Sequence, residues 1–308
     1  MQPTSDLLID RKRLKASLAS WRALSLIVIF VGAAMFATMK FDHKPGAFGG
    51  DYIAQITIEG VMTDSADRDE LMKRILEDDH AKAVLVRFDS PGGTTVGGEE
   101  ITRQLNEIRK KKPVVGVMHT LCASACFMAS LGTDYVVARN GTLTGSIGVL
   151  LQSIEISRLV DKLGITPVTI KSGLYKDVPD LGEPFTAEQR KVVGEIVTDA
   201  YDLFVSMIVE RRKMTDARVR ELADGRVYTG RQALKLDLID GIGGDDEVRE
   251  WLAKNRQIDP KLELKEIKPA PKADSLFEQL AQYTGIKIFN RSAIGLDGLV
   301  SIWHPSSI

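Results

Sequence analysis

Cysteine is almost absent. The 308 residues hold only Cys122 and Cys126, too few for a disulfide framework or a structural zinc site. Four residues apart, a spacing that suits a disulfide poorly if both lie on one helix, they read as small core-filling thiols. An excess of either charge is also missing: 41 Lys and Arg stand against 42 Asp and Glu, a net charge of -1. No global field therefore draws the chain to nucleic acid, and any partner must be recognised locally. Nucleotide signatures are lacking too, since Gly93-Thr94-Thr95-Val96-Gly97-Gly98 contains neither a Walker Lys-Ser/Thr pair nor a G-x-G-x-x-G. Nothing calls for a metal or an organic cofactor. The 44% of hydrophobic residues is more than disordered chains carry, so a globular core is expected.

Long apolar runs are scarce as well, with one conspicuous case. From Ala23 to Met39 seventeen residues pass without a charge, and a helix of that length rises about 25 Å, close to a hydrocarbon core. Trp21 and Phe41 supply interfacial ends, so a transmembrane helix is expected over 23–41. Arg11, Lys12, Arg13, Lys15 and Arg22 precede it, which keeps residues 1–22 cytoplasmic and exports the chain beyond the span. A cleaved signal peptide is the rival, but Ala34 to Ala37 offer no clean A-x-A site. His43 to Asp51 form a Gly/Pro linker, placed at 42–51.

Beyond it, short β-branched runs alternate with helical patterns. Strands are predicted at Tyr52–Ile58, Ala83–Phe88, Val114–Met118, Tyr135–Ala138 and Thr166–Ile170. Helices are predicted at Arg68–Glu77, Gly98–Lys110, after Ser124, at Ile156–Leu163 and at Glu247–Lys254. A long one over Thr186–Lys213 opens with a Thr186/Gln189 capping box. This is an α/β pattern with mostly parallel strands, and Ala83-Val84-Leu85-Val86 lacks alternation, as strands covered on both faces do. Residues 52–254 form the expected domain. Residues 255–308 form an extension with a Pro/Lys stretch, Ile267 to Asp274, and one short helical pattern at Leu276–Tyr283.

Three segments lie at strand ends, where open α/β sheets place ligands. Asp89-Ser90-Pro91-Gly92-Gly93 can turn with its N–H groups exposed, as an oxyanion hole or as a plain strand-to-helix turn. In Cys122-Ala123-Ser124-Ala125-Cys126, Ser124 opens a helix. There it is either an N-cap or a nucleophile above the positive end of a helix dipole. Lys171-Ser172-Gly173-Leu174-Tyr175-Lys176-Asp177 offers a lysine base. None of the four histidines is set up as a triad base: His43, His80 and His304 lie in linker, loop and tail, and His119 reads as a satisfied core residue. Lys176, after Leu174 and Tyr175, becomes a base if burial lowers its pKa; otherwise it is a solvated charge.

Together these segments resemble the signal peptide peptidase A family of serine proteases, whose fold is shared with the Clp proteolytic subunit and the crotonases. The carriers are Ile58-Glu59-Gly60-Val61, Val86 to Gly93, Ala123-Ser124, Thr144 to Val149, Lys171-Ser172-Gly173 with Lys176, and Gly225 to Ala233. The resemblance implies a Clp/crotonase-like fold of repeated β-β-α units. It makes Ser124 the nucleophile and Lys176 the general base. The N–H groups of Gly93 and Ser124 become the oxyanion hole, and Ser146 the hydroxyl that orients the lysine. Lys171 is the nearest rival for the base. The family usually has Gly-Gly-Tyr after the nucleophile, where this chain has Ala125-Cys126-Phe127, and the extra bulk is expected to narrow the substrate pocket.

The implied protein is an endopeptidase in a bacterial inner membrane, with its catalytic domain in the periplasm and hydrophobic peptides such as signal-peptide remnants as substrates. It is expected to assemble as a ring-like homo-oligomer in which a neighbouring protomer supplies the lysine. Two competitors are a crotonase-like acyl-CoA hydratase or isomerase, which would need a cytoplasmic site, and an inactive membrane scaffold.

Overall fold

The computed structural model describes residues 21–22, 24–30, 50–269 and 300–302. The chain divides into two units, Met1–Gly50 and Asp51–Ile308. In the first, residues 24–30 are helical and expose their apolar side chains. The remainder of the expected span, residue 23 and residues 31–41, lies outside the described residues, as does the helical pattern at 276–283. Among the described residues no helix is long and apolar enough to cross a membrane.

The second unit is built on one mixed sheet, nine-stranded among the described residues. Strands β1 (Tyr52–Met62), β2 (Ala81–Thr94) and β3 (Val114–Ala123) run parallel at its centre. Each leads straight into a helix: α1 (Ala66–Glu77), α2 (Thr95–Arg109) and α3 (Ala125–Ser130). Then come β4 (Tyr135–Ala138), β5 (Leu143–Gly145) and α4 (Ser157–Lys162), the one stretch where two strands precede a helix as the β-β-α repeat would have it. β3 changes partner along its length. Val115–Met118 pair with β4, whereas Leu121–Ala123 pair with β5. The sheet therefore forks just before Ser124.

The long helix α5 (Ala187–Arg212) starts at the expected capping box. Thr186 Oγ accepts from the Gln189 N–H at 3.2 Å and the Gln189 side chain accepts from the Thr186 N–H at 2.9 Å. After it come α6 (Asp216–Leu222), β6 (Val227–Thr229), α7 (Gly230–Lys235), β7 (Gly241–Ile242) and α8 (Asp245–Arg256). β6 runs antiparallel to β5, and β7 runs parallel to β4. Two strands come from the stretch expected to be an extension. β8 (Glu263–Glu266) runs parallel to β1, and β9 (Val300–Ile302) runs antiparallel to Gly92–Thr94 of β2.

Both faces of the central strands are covered, which explains their unbroken apolar runs. Val84, Val86 and Phe88 face a core shared with α1, α2, α3 and α5. Ala83, Leu85, Val115 and Val117 face Val248 and Leu252 of α8. Thr166–Ile170, expected as a strand, is irregular and outward-facing, with Val168 85% and Ile170 98% exposed. It pairs with no strand among the described residues, and local propensity does not make a strand without a partner.

A polar node ties α1 to the sheet. The buried Lys112 ammonium donates to the carbonyls of Ile75 (2.7 Å) and Asp78, which the end of α1 leaves without intrahelical partners. The Tyr52 hydroxyl donates to Asp78 Oδ2 at 2.5 Å, and the His80 N–H donates to Oδ1 at 2.9 Å. Burial alone would raise the Asp78 pKa, but these hydrogen bonds and the Lys112 charge hold it below the ordinary value. This carboxylate therefore supports the fold above about pH 4 and loses that support as pH falls through its depressed pKa. Lys112→Met should leave the Ile75 carbonyl buried without a donor. A loss of about 1–3 kcal/mol is expected, read as a lower urea midpoint at unchanged slope.

Candidate active site

Ser124 joins β3 to α3 in a sharp elbow. Its φ of 58° and ψ of -120° are a conformation that non-glycine residues rarely adopt, at a cost of about 1–3 kcal/mol that the surroundings must offset. Three ties do so. The Ser124 N–H donates to the Gly145 carbonyl of β5 at 2.7 Å, and its own carbonyl accepts from the Met128 N–H at 2.9 Å. The third tie is covalent, because Cys122 and Cys126 form a disulfide across the elbow with a Cα–Cα separation of 5.0 Å. Closing so short a ring contributes roughly 2 kcal/mol in the chain-entropy account.

The disulfide corrects the reading of these thiols as filler. The spacing argument holds for one continuous helix, whereas Cys122 belongs to β3 and Cys126 to α3. The turn at Ser124 folds their Cα atoms into disulfide range. The expected pocket narrowing by Cys126 and Phe127 is also corrected. Both are fully buried, and the Phe127 ring packs against Phe204 of α5 with centroids 6.4 Å apart. The bulk of Cys126 at a family glycine and of Phe127 at the family tyrosine is spent in the core beneath the elbow.

The Ser124 N–H is expected from the resemblance to face a reacting oxygen. The positive φ turns it back toward β5, where Gly145 engages it. The N–H of Ala125, first residue of α3, has no intrahelical acceptor, as at every helix start. Gly93 lies on the neighbouring strand. A Cβ there would stand 1.8 Å from the Met62 carbonyl oxygen, so the β1 backbone leaves no room for a side chain. Gly92 adopts φ 108°, and Ser90 braces the turn by donating from Oγ to the Gly60 carbonyl at 2.5 Å and accepting from the Gly92 N–H at 3.1 Å. Ser90 therefore holds the glycine turn in shape, a task that its position in the motif does not disclose.

Ser146 follows Gly145 directly, is buried, and has φ 48°, with its N–H donating to the Arg226 carbonyl at 2.8 Å. Ser124, Gly145 and Ser146 are thus drawn together through one peptide unit, with Gly93 on the adjoining strand. Lys176 is not brought in. It lies exposed in the turn at 173–176, its N–H donating to the Gly173 carbonyl at 3.2 Å, and no hydrogen bond or ion pair within this chain joins it to Ser146. Lys171, the rival base, lies 2.7 Å from Asp177 and 3.1 Å from Glu183. These two carboxylates raise its pKa and keep it protonated, which unfits it for abstracting a proton. His119 is half-buried in the middle of β3, and its Nε2 has no partner among the described residues, so it is not the satisfied core histidine expected.

Comparison with known proteins gives the family. Residues 106–259 match Peptidase family S49. A Synechocystis sp. protein named as a protease is 37% identical over 71% of this chain and 80% of its own length. An Enterococcus faecium protein named as a signal peptide peptidase is 32% identical over 76% of this chain and 73% of its own length. Among solved structures, a membrane-bound stomatin-specific protease aligns with 72% of this chain and 100% of that one, at a TM-score of 0.45 and 16% identity. The chain belongs to peptidase family S49, the signal peptide peptidase A family, and is a serine-type protease.

Proposed function

We propose that this protease is a membrane-anchored endopeptidase that cleaves hydrophobic peptides, such as released signal peptides, through a Ser124/Lys176 dyad. Ser124 Oγ attacks the peptide carbonyl and gives its proton to the Lys176 amine. The acyl-enzyme forms as the leaving amine is protonated, and water, with Lys176 again as base, releases the second product. The N–H groups of Gly93 and Ala125 hold the oxyanion, Ala125 taking the place first expected of the Ser124 N–H. Ser146 orients the lysine.

The observation that carries this reading is the elbow: a serine held at positive φ on the first turn of a buried helix, beside a glycine strand that admits no side chain. The pairing of Val300–Ile302 with Gly92–Thr94 supports a peptide substrate, since an extended segment of this same chain lies antiparallel along the strand that carries Gly93.

Lys176 comes from a neighbouring protomer. Around it, Ile154, Leu159, Leu163, Ile165, Val168 and Leu174 are all exposed, more apolar surface in one segment than a monomer normally shows. The first half of α5 is also mostly exposed. A second copy that covered these surfaces would carry its own lysine-bearing segment with it.

Subunit mixing tests both claims. Ser124→Ala and Lys176→Ala proteins should each be inactive, while oligomers reassembled from equal amounts should recover about a quarter of wild-type activity, the share of interfaces where an intact serine meets an intact lysine. No recovery in properly mixed rings would assign the lysine to the same chain. Topology is read by a periplasm-dependent reporter fused after residue 50, and a cytoplasmic signal there would overturn the export proposal.

A further inference from the structure

The reaction uses Ser124 but leaves unexplained the two cysteines that flank it. We infer that the Cys122–Cys126 disulfide is a positioning pair for the nucleophile, setting the rate of acyl transfer without touching substrate. The inference rests on Ser124 as nucleophile.

The two arms of the elbow are held very differently. Cys122 is fixed within the sheet, in register with Ser90 of β2 and Thr144 of β5, and its carbonyl accepts from Thr144 Oγ1 at 2.7 Å. Cys126 sits on α3, a helix of only six residues, too short to persist by its own hydrogen bonds. Ser124 is midway between the two in a strained conformation that the chain would otherwise relax. The hydrogen bonds of Ser124 to Gly145 and Met128 constrain it but can exchange. The disulfide closes the elbow covalently, and the described residues contain no free cysteine.

Its formation takes two electrons and two protons from the thiols and passes them to a disulfide oxidant, which leaves as a dithiol. A dithiol reductant reverses this by two exchange steps through a mixed disulfide. Such a bond persists in an oxidising compartment, which the proposed export would supply. Both cysteines are fully buried, so the folded protein should keep the bond through purification.

The test uses the full-length protein. Alkylation with iodoacetamide in denaturant should modify no cysteine before reduction and both after it. The Cys122→Ala/Cys126→Ala and Cys122→Ser/Cys126→Ser double variants should keep wild-type circular dichroism and oligomer size. Their kcat on a peptide ester and their fluorophosphonate labelling rate should fall about tenfold with KM nearly unchanged, because a small misplacement of the nucleophile acts on the chemical step. Wild type unfolded and refolded in dithiothreitol should work at the same lowered rate, refolding with oxidised glutathione should restore it, and the cysteine-free variants should respond to neither. If both variants misfold, the reduction and reoxidation of wild type decides alone. Two alkylated cysteines before reduction, or wild-type labelling rates in the folded variants, would overturn the inference while leaving Ser124 as nucleophile. Labelling that persists in Ser124→Ala would overturn both.

Discussion

Ser124→Ala is expected to abolish peptide cleavage and fluorophosphonate labelling, with a loss of about 10⁴-fold or more in kcat. The change deletes one oxygen from a residue that is 1% exposed, and alanine has no more difficulty than serine with the elbow conformation. The Gly145 and Met128 hydrogen bonds involve only backbone atoms, so the fold and the disulfide should persist. Lys176→Ala should be nearly as inactive, for a different reason. An exposed loop lysine contributes little to stability, so its removal should alter the pH–rate profile and leave the unfolding midpoint within about 0.5 kcal/mol of wild type. Ser146→Ala should lie between these and wild type, since a hydroxyl that orients a base affects the rate through geometry alone. An active Ser124→Ala protein would end the acyl-enzyme reading.

Gly93→Ala is expected to damage activity and stability together. Its Cβ would fall 1.8 Å from the Met62 carbonyl oxygen and 2.5 Å from the Met62 carbonyl carbon and nitrogen. No side-chain rotation can relieve a clash with backbone. β1 and β2 must part where Met62 and Gly93 pair, and the Gly93 N–H moves with them. A loss of about 10²–10³ in kcat, as for removing an oxyanion donor, should accompany about 3 kcal/mol of destabilisation. Gly194→Ala is the matched control. Gly194 lies inside α5, a Cβ there meets nothing within 4 Å, and up to about 1 kcal/mol of stabilisation is expected from helix propensity. A Gly93→Ala protein with wild-type kcat would remove this strand from the catalytic site.

The parts of this fold that can be read from sequence are those whose local pattern and tertiary environment agree. Tyr135–Ala138 is a strand over those same residues, and the Thr186 capping box marks the start of α5. The elbow serine is legible because a small-residue helix follows a buried strand. The hidden parts depend on contacts between distant stretches of the chain. β8 is a charged Glu-Leu-Lys-Glu edge strand, so no apolar alternation announces it. The disulfide escapes a spacing rule that is valid for one helix and fails across a turn. Thr166–Ile170 misleads because β-branched composition records a preference for burial, and a neighbouring protomer can satisfy that preference as well as a sheet can. Lys176 can be proposed from its motif, but no local pattern places its exposed turn relative to Ser124.

The Phe127–Phe204 contact ties the elbow to an element that runs out to the surface. Helix α5 is 26 residues long, or about 39 Å. Its second half is wedged into the core by Ala200, Phe204, Val205 and Ile208, while its first half stands mostly exposed. Phe204 bears on Phe127, three residues beyond Ser124. The helix therefore joins an exposed arm to a buried one that ends beneath the elbow at Ser124, so that one rigid element spans from the surface to the ground under that turn.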